Sequence, residues 1–521
     1  MEEEAVNRLT GWIADAYAAM TAVVLAVVVF CYAGTAFDSR KEYPLGQGAM
    51  LLLGVALLLL LALGTRRWEK ARPLRGKGIL YWGTLFVVQA TLSYFAYFMT
   101  DWDVKSILES AYAIAGGDAY IEYYYYYLYP NNTVLTLVFA GIMRAFRILS
   151  PGAGLERCTY ILIVFQCAIN TAVGMLTARL ARRLTGSEQM GRLTALVYAA
   201  FVGLSPWVMI PYSDSVGLIF PITLFSLYLH ARENRCARWV WPAMGALAAL
   251  GYLIKPQTLI AAIAVAMIEG ARLILSRRSG ALMARLGSLA LAFWLGVGPC
   301  FAFVLDVSPI KRNDEANMGV LHYLMMGLNE ETNGSFYLED MLASSGVKES
   351  GARREMQLET IRERIASRDL RDWAEHLTKK TLTNFADGSF AWGIEGVFFA
   401  QSIEDKDAVL SPFLKDLINS DDGRNYPCLA AYFEILWLGL LACSLCAGGT
   451  LRRLPKTQRE TLAAMLLTLI GLSLFETIFE ARARYFYTCA PLYVIVGLAG
   501  AWAAASAFRE RGKVSCARST G

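Results

Sequence analysis

Histidine is nearly absent. The 521-residue chain holds three, and protein zinc sites draw on clustered His and Cys. His322 and His376 stand alone in the sequence, so nothing supports a histidine-built metal centre. Charge is scarce too. Charged residues make up 18% of the chain and hydrophobic ones 56%, whereas soluble domains are about a quarter charged and under half apolar. That balance excludes a soluble enzyme. The N-terminus, MEEEAVNR, lacks the basic start and small-residue cleavage site of a signal peptide, so the first span is expected to stay attached. Most of the ten cysteines lie in or beside apolar runs, where Cys is a small hydrophobe. Cys443 and Cys446 form a CxxC with no second pair or His nearby, which gives no redox or metal site.

What remains is a set of apolar runs near the roughly 18–20 residues that cross a bilayer. They predict twelve spans, near 17–37, 47–64, 79–99, 158–181, 190–206, 212–230, 239–254, 257–275, 286–306, 427–447, 460–478 and 485–507. Residues 133–149 are also apolar. Charge decides how to read them. The segment 65–78 carries Arg66, Arg67, Lys70, Arg72, Arg75 and Lys77, and such clusters stay cytoplasmic. If 133–149 crossed, Arg182/Arg183/Arg192, Arg232/Arg235/Arg238, Arg272/Arg277/Arg278/Arg285 and Arg452/Arg453/Lys456/Arg459 would all fall outside. If it only dips in or lies along the interface, all fall inside, with both termini cytoplasmic. The expected architecture is therefore an all-α polytopic membrane protein with about twelve transmembrane helices. It divides into a two-span extension (1–78), a core (79–307) with an outer loop at 100–157, a long outer loop (308–426), and C-terminal helices with a tail (427–521).

The outer side collects the unusual residues. Asp101 and Asp103 emerge where 79–99 ends. Acids near a span end can simply terminate a helix and be solvated, but ionisable groups at membrane depth often mark function. A short interfacial helix is expected over 104–115, from Leu108, Ala111, Tyr112 and Ala115, stopped by Gly116 and Gly117. Tyr123 to Tyr127 form an unbroken tyrosine run. It reads either as an aromatic belt at headgroup level or as a wall facing sugar or lipid. Three tight outer turns carry charge: Tyr212-Ser213-Asp214, Lys255-Pro256-Gln257 and Glu480-Ala-Arg482-Ala-Arg484-Tyr485. Arg binds phosphate bidentately and Lys acts as a point charge, and a carboxylate at the same depth could take a proton from a hydroxyl. For Arg482 and Arg484 the plainer alternative is ordinary headgroup binding. In the long loop, 352–380 has helical spacing at Met356, Leu358, Ile361 and Ile365. It predicts interfacial helices covering a site, with 380–392 returning aromatics and Gly to the membrane edge.

Asp101-Trp102-Asp103, Tyr129-Pro130-Asn131-Asn132, Tyr212-Ser213-Asp214, Lys255-Pro256, Met326-Gly327-Leu328-Asn329 and Glu480-Ala-Arg482-Ala-Arg484-Tyr485, in that order and on one face, resemble the GT-C class of integral membrane glycosyltransferases. Within it, the likeness is to bacterial family-39-like or dolichyl-phosphate-mannose-like transferases. The chain departs from the usual arrangement in having two spans before the first outer loop and no extended soluble C-terminal domain. The resemblance implies an outward-facing site, a polyprenyl-phosphate sugar donor, and an Asp as the base of an inverting transfer. Asp103 is favoured because it directly precedes the helix containing Ala111, leaving Asp101 to orient the acceptor or hold a divalent cation. Lys255, Arg482 and Arg484 are the expected phosphate ligands. Tyr129, Asn131, Asn132, Tyr212, Asp214, Asn329, Glu480 and Tyr485 are the expected substrate contacts. No cofactor is otherwise indicated. The implied partners are membrane lipids and a glycan, lipid-linked or protein acceptor, with no nucleic acid. Other classes compatible with the bulk composition are a lipid or solute transporter or flippase, which would need polar groups near the midplane, and an envelope polysaccharide polymerase or ligase.

Overall fold

The computed structural model describes residues 2–32, 43–65, 77–234, 236–275, 279–311, 313, 315–394 and 403–519. The basic run Arg66 to Arg75, together with Arg235, Arg277 and Arg278, lies outside the described residues. Among the described residues the protein is all helix: it is an all-α polytopic membrane protein, with eleven helices long and apolar enough to span a membrane. Helices are what lipid permits, because each backbone N–H and C=O is satisfied within its own segment.

In chain order the first elements are α1 (Glu2–Cys31), α2 (Gln47–Gly64), α3 (Lys77–Ala96), α4 (Trp102–Ile114), α5 (Tyr123–Leu128), α6 (Thr133–Leu149), α7 (Leu155–Thr185) and α8 (Glu188–Tyr198). α9 (Ser213–Gly217), α10 (Ile219–Glu233), α11 (Val240–Ile254), α12 (Leu259–Leu275), α13 (Ser279–Leu295) and α14 (Phe301–Val307) follow. The long loop contributes α15 (Gly319–Gly327), α16 (Leu338–Gly346), α17 (Ser350–Ala366), α18 (Leu370–Phe385) and α19 (Leu410–Ile418). The chain closes with α20 (Tyr426–Ser444), α21 (Ala447–Leu451), α22 (Lys456–Ile478), α23 (Arg484–Tyr487) and α24 (Ala490–Ser519). Small residues allow close helix crossings. Gly54 of α2 meets Gly439 of α20, and a Cβ on Gly54 would collide with the carbonyl of Ile435.

Two expected spans take another form. Residues 190–206 are not one helix: α8 ends at Tyr198, a wider π-turn covers Ala199–Gly203, and a short 3-10 turn follows at Pro206–Met209. Pro206 cannot donate to a continuing helix. Carbonyls of the irregular stretch converge on one buried side chain, with Gln166 Nε2 within hydrogen-bond distance of those of Trp207, Val208 and Ile210 at 3.0, 2.9 and 2.7 Å. Irregular backbone at membrane depth persists where protein buries and satisfies it. Residues 239–254 form α11, 15 residues long, shorter than a bilayer core.

The opposite departure is Pro130–Leu149, long and apolar enough to span by composition. Its two flanks nevertheless meet. Tyr97, at the end of α3, donates to Glu156 in the first turn of α7 at 2.9 Å, so the chain leaves α3 and enters α7 at one end of the bundle. Between them α6 lies along α4. Leu135, Thr136, Phe139, Ala140 and Met143 are its buried face, and Arg147 stacks 4.9 Å over the Tyr112 ring. An amphipathic stripe of this width suits a helix lying on a surface.

The same end, here the loop end, carries α15–α19. At the opposite end, Arg183 pairs with Glu233, and Arg232 and Arg272 pair with Glu269 and Glu460. Of the stretch 380–392, expected to return to the membrane edge, residues 386–392 are buried within the protein. Trp207 Nε1 donates to the carbonyls of Ser389 and Phe390 at 3.0 and 3.1 Å, and the Gly388 amide donates to Glu434 at 2.6 Å. The aromatic rings of Phe390, Trp392, Trp437 and Tyr487 pack around it. This buried wedge holds the 205–217 stretch from below, because Ser215 Oγ donates to the Trp207 carbonyl at 2.9 Å.

Candidate active site

Helix ends supply the site. α4 begins at the Asp101-Trp102-Asp103 corner, α9 and α10 begin beside Tyr212, α11 stops at Lys255, and α22 stops before Glu480. Trp102 sits at φ +52°, a left-handed conformation strained for a bulky residue. That twist separates the two acids. Asp101 turns to the surface, where Lys105 pairs with it at 3.4 Å. Asp103 turns inward and accepts the Tyr212 hydroxyl hydrogen at 2.9 Å.

Around Tyr212 the remaining charges gather. Lys255 Nζ lies 2.6 Å from Asp214, with side-chain exposures of 8% and 0%. The Lys255 ammonium also stands 4.4 Å from the centre of the Tyr485 ring. Arg484 stacks against three rings, its guanidinium carbon 4.7 Å from Trp102, 5.8 Å from Tyr212 and 5.4 Å from Tyr485. Such stacking holds the guanidinium plane in place. Tyr485 donates to Glu480 at 3.1 Å, and Arg482 approaches the same carboxylate at 3.9 Å. Tyr129 stands at the edge of the group, and burial with the charges of Asp103 and Glu480 holds its phenol above the ordinary tyrosine range. Seven of the expected residues thus form one connected set: Asp103, Tyr212, Asp214, Lys255, Glu480, Arg484 and Tyr485. Arg482 and Tyr129 border it.

Four expected residues are used elsewhere. Asp101 faces Lys105. Asn131 is exposed. Asn132 is buried and donates to the Tyr125 hydroxyl. Asn329 folds its own turn, its side chain accepting from the Thr332 amide at 3.2 Å and its carbonyl from the Gly334 amide at 2.8 Å. Among the described residues, no three His, Cys, Asp or Glu side chains converge as metal ligands.

Several residues of this region escaped sequence reasoning. Trp102 was visible between the acids, but its role as a platform for Arg484 depends on an unusual φ. Tyr323 of α15 lies in the same field: burial, Tyr129, Glu480 and Asp103 hold its phenol high. Lys380 sits unmarked in a helix rich in charge. Glu476, fully buried one turn before Glu480, was the legible one, as an acid inside a predicted span.

Charged side chains from several helix ends, gathered at the loop end of a largely apolar bundle, define a multi-pass integral membrane protein with a polar site at its edge. Residues 49–504 match the model of the family described as conserved hypothetical integral membrane proteins, and the chain belongs to that family. No curated protein and no solved structure matches it.

Proposed function

We propose that the protein is a membrane glycosyltransferase of GT-C type, moving a sugar from a polyprenyl-phosphate donor to a cell-envelope glycan, lipid-linked or protein acceptor. The observation that carries this reading is the bridge through Tyr212: one side bonds the Asp103 carboxylate, the other faces the stacked Arg484. A proton acceptor and a fixed cation on either side of one phenol suit a reaction in which a hydroxyl is deprotonated while a phosphate departs.

The acceptor oxygen attacks the anomeric carbon as the bond from that carbon to the phosphate oxygen breaks. Asp103 takes the hydroxyl proton. The electron pair leaves on the polyprenyl phosphate, whose charge Arg484, Lys255 and Arg482 balance. Attack opposite the leaving group inverts the anomeric centre. Water is a competing nucleophile, and α15–α18 cover the site against it. An outward-facing site is supported by the basic residues Arg182, Arg183, Arg232 and Arg272, which pair at the end remote from Asp103. Under the positive-inside bias that end faces the cytoplasm, which turns the site to the outer leaflet and leaves both termini cytoplasmic.

The test is sugar transfer from synthetic polyprenyl-phosphate sugars by the purified full chain in detergent, wild type beside Asp103→Asn. Loss of turnover with donor binding kept is the expected result. Absence of donor binding in the wild type would end the glycosyltransferase reading.

A further inference from the structure

The roof over the site meets its floor where two helix ends come together. α15 ends at Gly327, and α22 ends at Ile478 with Phe479 as its cap. The two ends touch so closely that a Cβ on Gly327 would stand 2.5 Å from the Phe479 carbonyl oxygen. Each is the negative end of a helix dipole, and the approach is unfavourable unless a cation lies between them. Lys380 of α18 is that cation. It is 1% exposed, and its Nζ donates to the Gly327 and Phe479 carbonyls, both at 2.6 Å. His376, one turn earlier, places Nε2 3.2 Å from the same Gly327 oxygen.

Backbone bonds continue the seam. The Ala481 amide donates to the Gly334 carbonyl at 2.7 Å, and Ser335 Oγ donates to the Ala481 carbonyl at 2.8 Å. Gly334 holds φ +79°, and a Cβ there would press on the Lys380 stem and the Gly327 oxygen. Met326-Gly327-Leu328-Asn329 is therefore the tip of the roof, shaped to receive the Glu480–Tyr485 loop.

We propose that Lys380 is a positioning residue, a latch that seats α15 on the 479–485 loop and thereby sets both the Glu480–Arg484 side chains and Tyr323 about the substrate. The functional half of this proposal rests on the glycosyltransferase reading. The latch itself does not. Without the ammonium, two helix C-termini face each other across a buried gap, and the roof lifts from the loop that carries Arg484.

The latch is also a titrating one. Burial lowers the Lys380 pKa to about 8, with Arg368 acting in the same direction and Glu476 and Glu480 opposing. His376, on the same helix, is held neutral, its pKa lowered to about 4 chiefly by burial. The ammonium is thus present at neutral pH and lost as pH rises through about 8, whereas a free lysine would keep it to about 10.4.

Hydrogen exchange of the full-length protein in detergent, corrected for intrinsic rates, reads the latch without any substrate. Two charge-assisted bonds make protection of the 327–335 and 479–485 peptides fall roughly 10- to 100-fold in Lys380→Met. In Lys380→Arg, which keeps two donors and its charge, protection stays near wild type. Wild type itself, with no substitution to disturb folding, loses protection in those two peptides between pH 7 and 9.5. Unchanged exchange in Lys380→Met, or a rise spread evenly over the chain, overturns the latch. Sugar transfer is then measured on the same samples. A loosened seam with turnover unchanged overturns the positioning role. No turnover in wild type overturns the glycosyltransferase reading and leaves the exchange result to decide the latch.

Discussion

Lys255 can be tested as a phosphate ligand separately from its role as the partner of Asp214. The pair is buried, at 2.6 Å and with exposures of 8% and 0%. Removing one member leaves the other charge desolvated and unopposed, which costs about 3–5 kcal/mol, whereas replacing both with neutral groups of similar volume is nearly neutral. Asp214→Asn and Lys255→Met are each expected to lower stability by about 3–5 kcal/mol, and the double variant to recover to within about 1 kcal/mol of wild type. Thermal unfolding in detergent reads this. Activity separates the two roles. If Lys255 also neutralises the departing phosphate, the double variant folds well and remains slow, roughly 100-fold or more below wild type, the usual scale for one lost electrostatic donor. A stable double variant with full turnover would refute Lys255 as a phosphate ligand. A double variant as unstable as either single one would refute the pairing itself.

Asp103→Asn is expected to lower turnover roughly 10²- to 10⁴-fold, the range for a lost general base; Tyr212→Phe, which removes one neutral-to-carboxylate bond, is expected to lower it about 10-fold. Arg484→Lys loses the stacked planar fork and should weaken donor binding roughly 10-fold, measured by titration with the donor lipid. At the opposite end of the bundle, Glu269 accepts from Tyr228 at 2.7 Å, Arg232 at 2.6 Å and Arg272 at 2.7 Å. Glu269→Ala leaves Arg232 and Arg272 to share Glu460 alone and should cost about 1–3 kcal/mol in thermal stability. In the roof, His322 is buried beside Ser344, and burial lowers its pKa to about 4. Its unfolded form binds a proton below about 6.5, so the roof should lose stability as pH falls from about 6.5 to 4; hydrogen exchange of 319–346 at pH 5 and 7.5 checks this, and His322→Gln should flatten the dependence.

Much of this protein was legible as sequence because lipid is a severe solvent. A run of apolar residues in a bilayer has essentially one conformation open to it, so the class, most of the spans and the gathering of polar turns on one side follow from hydropathy and the places of Lys and Arg. The broken span at 190–206 and the buried stretch at 386–392 have a common cause. Their irregular backbone is buried by contacts with distant residues, Gln166 and Glu434 among them, and no local pattern announces a partner that far along the chain.

The sequence by itself determined that this chain lies in a membrane, that its polar turns carry opposite charges, and that two acids open the first loop. Only the tertiary structure shows where each acid goes, because the left-handed backbone of Trp102 sends Asp103 to Tyr212 and Asp101 to Lys105. It alone joined Lys380 to helix ends that lie 53 and 99 residues away in sequence. Periodicity records which face of a helix is apolar, but where two helices end against each other is fixed by the packing of the whole bundle.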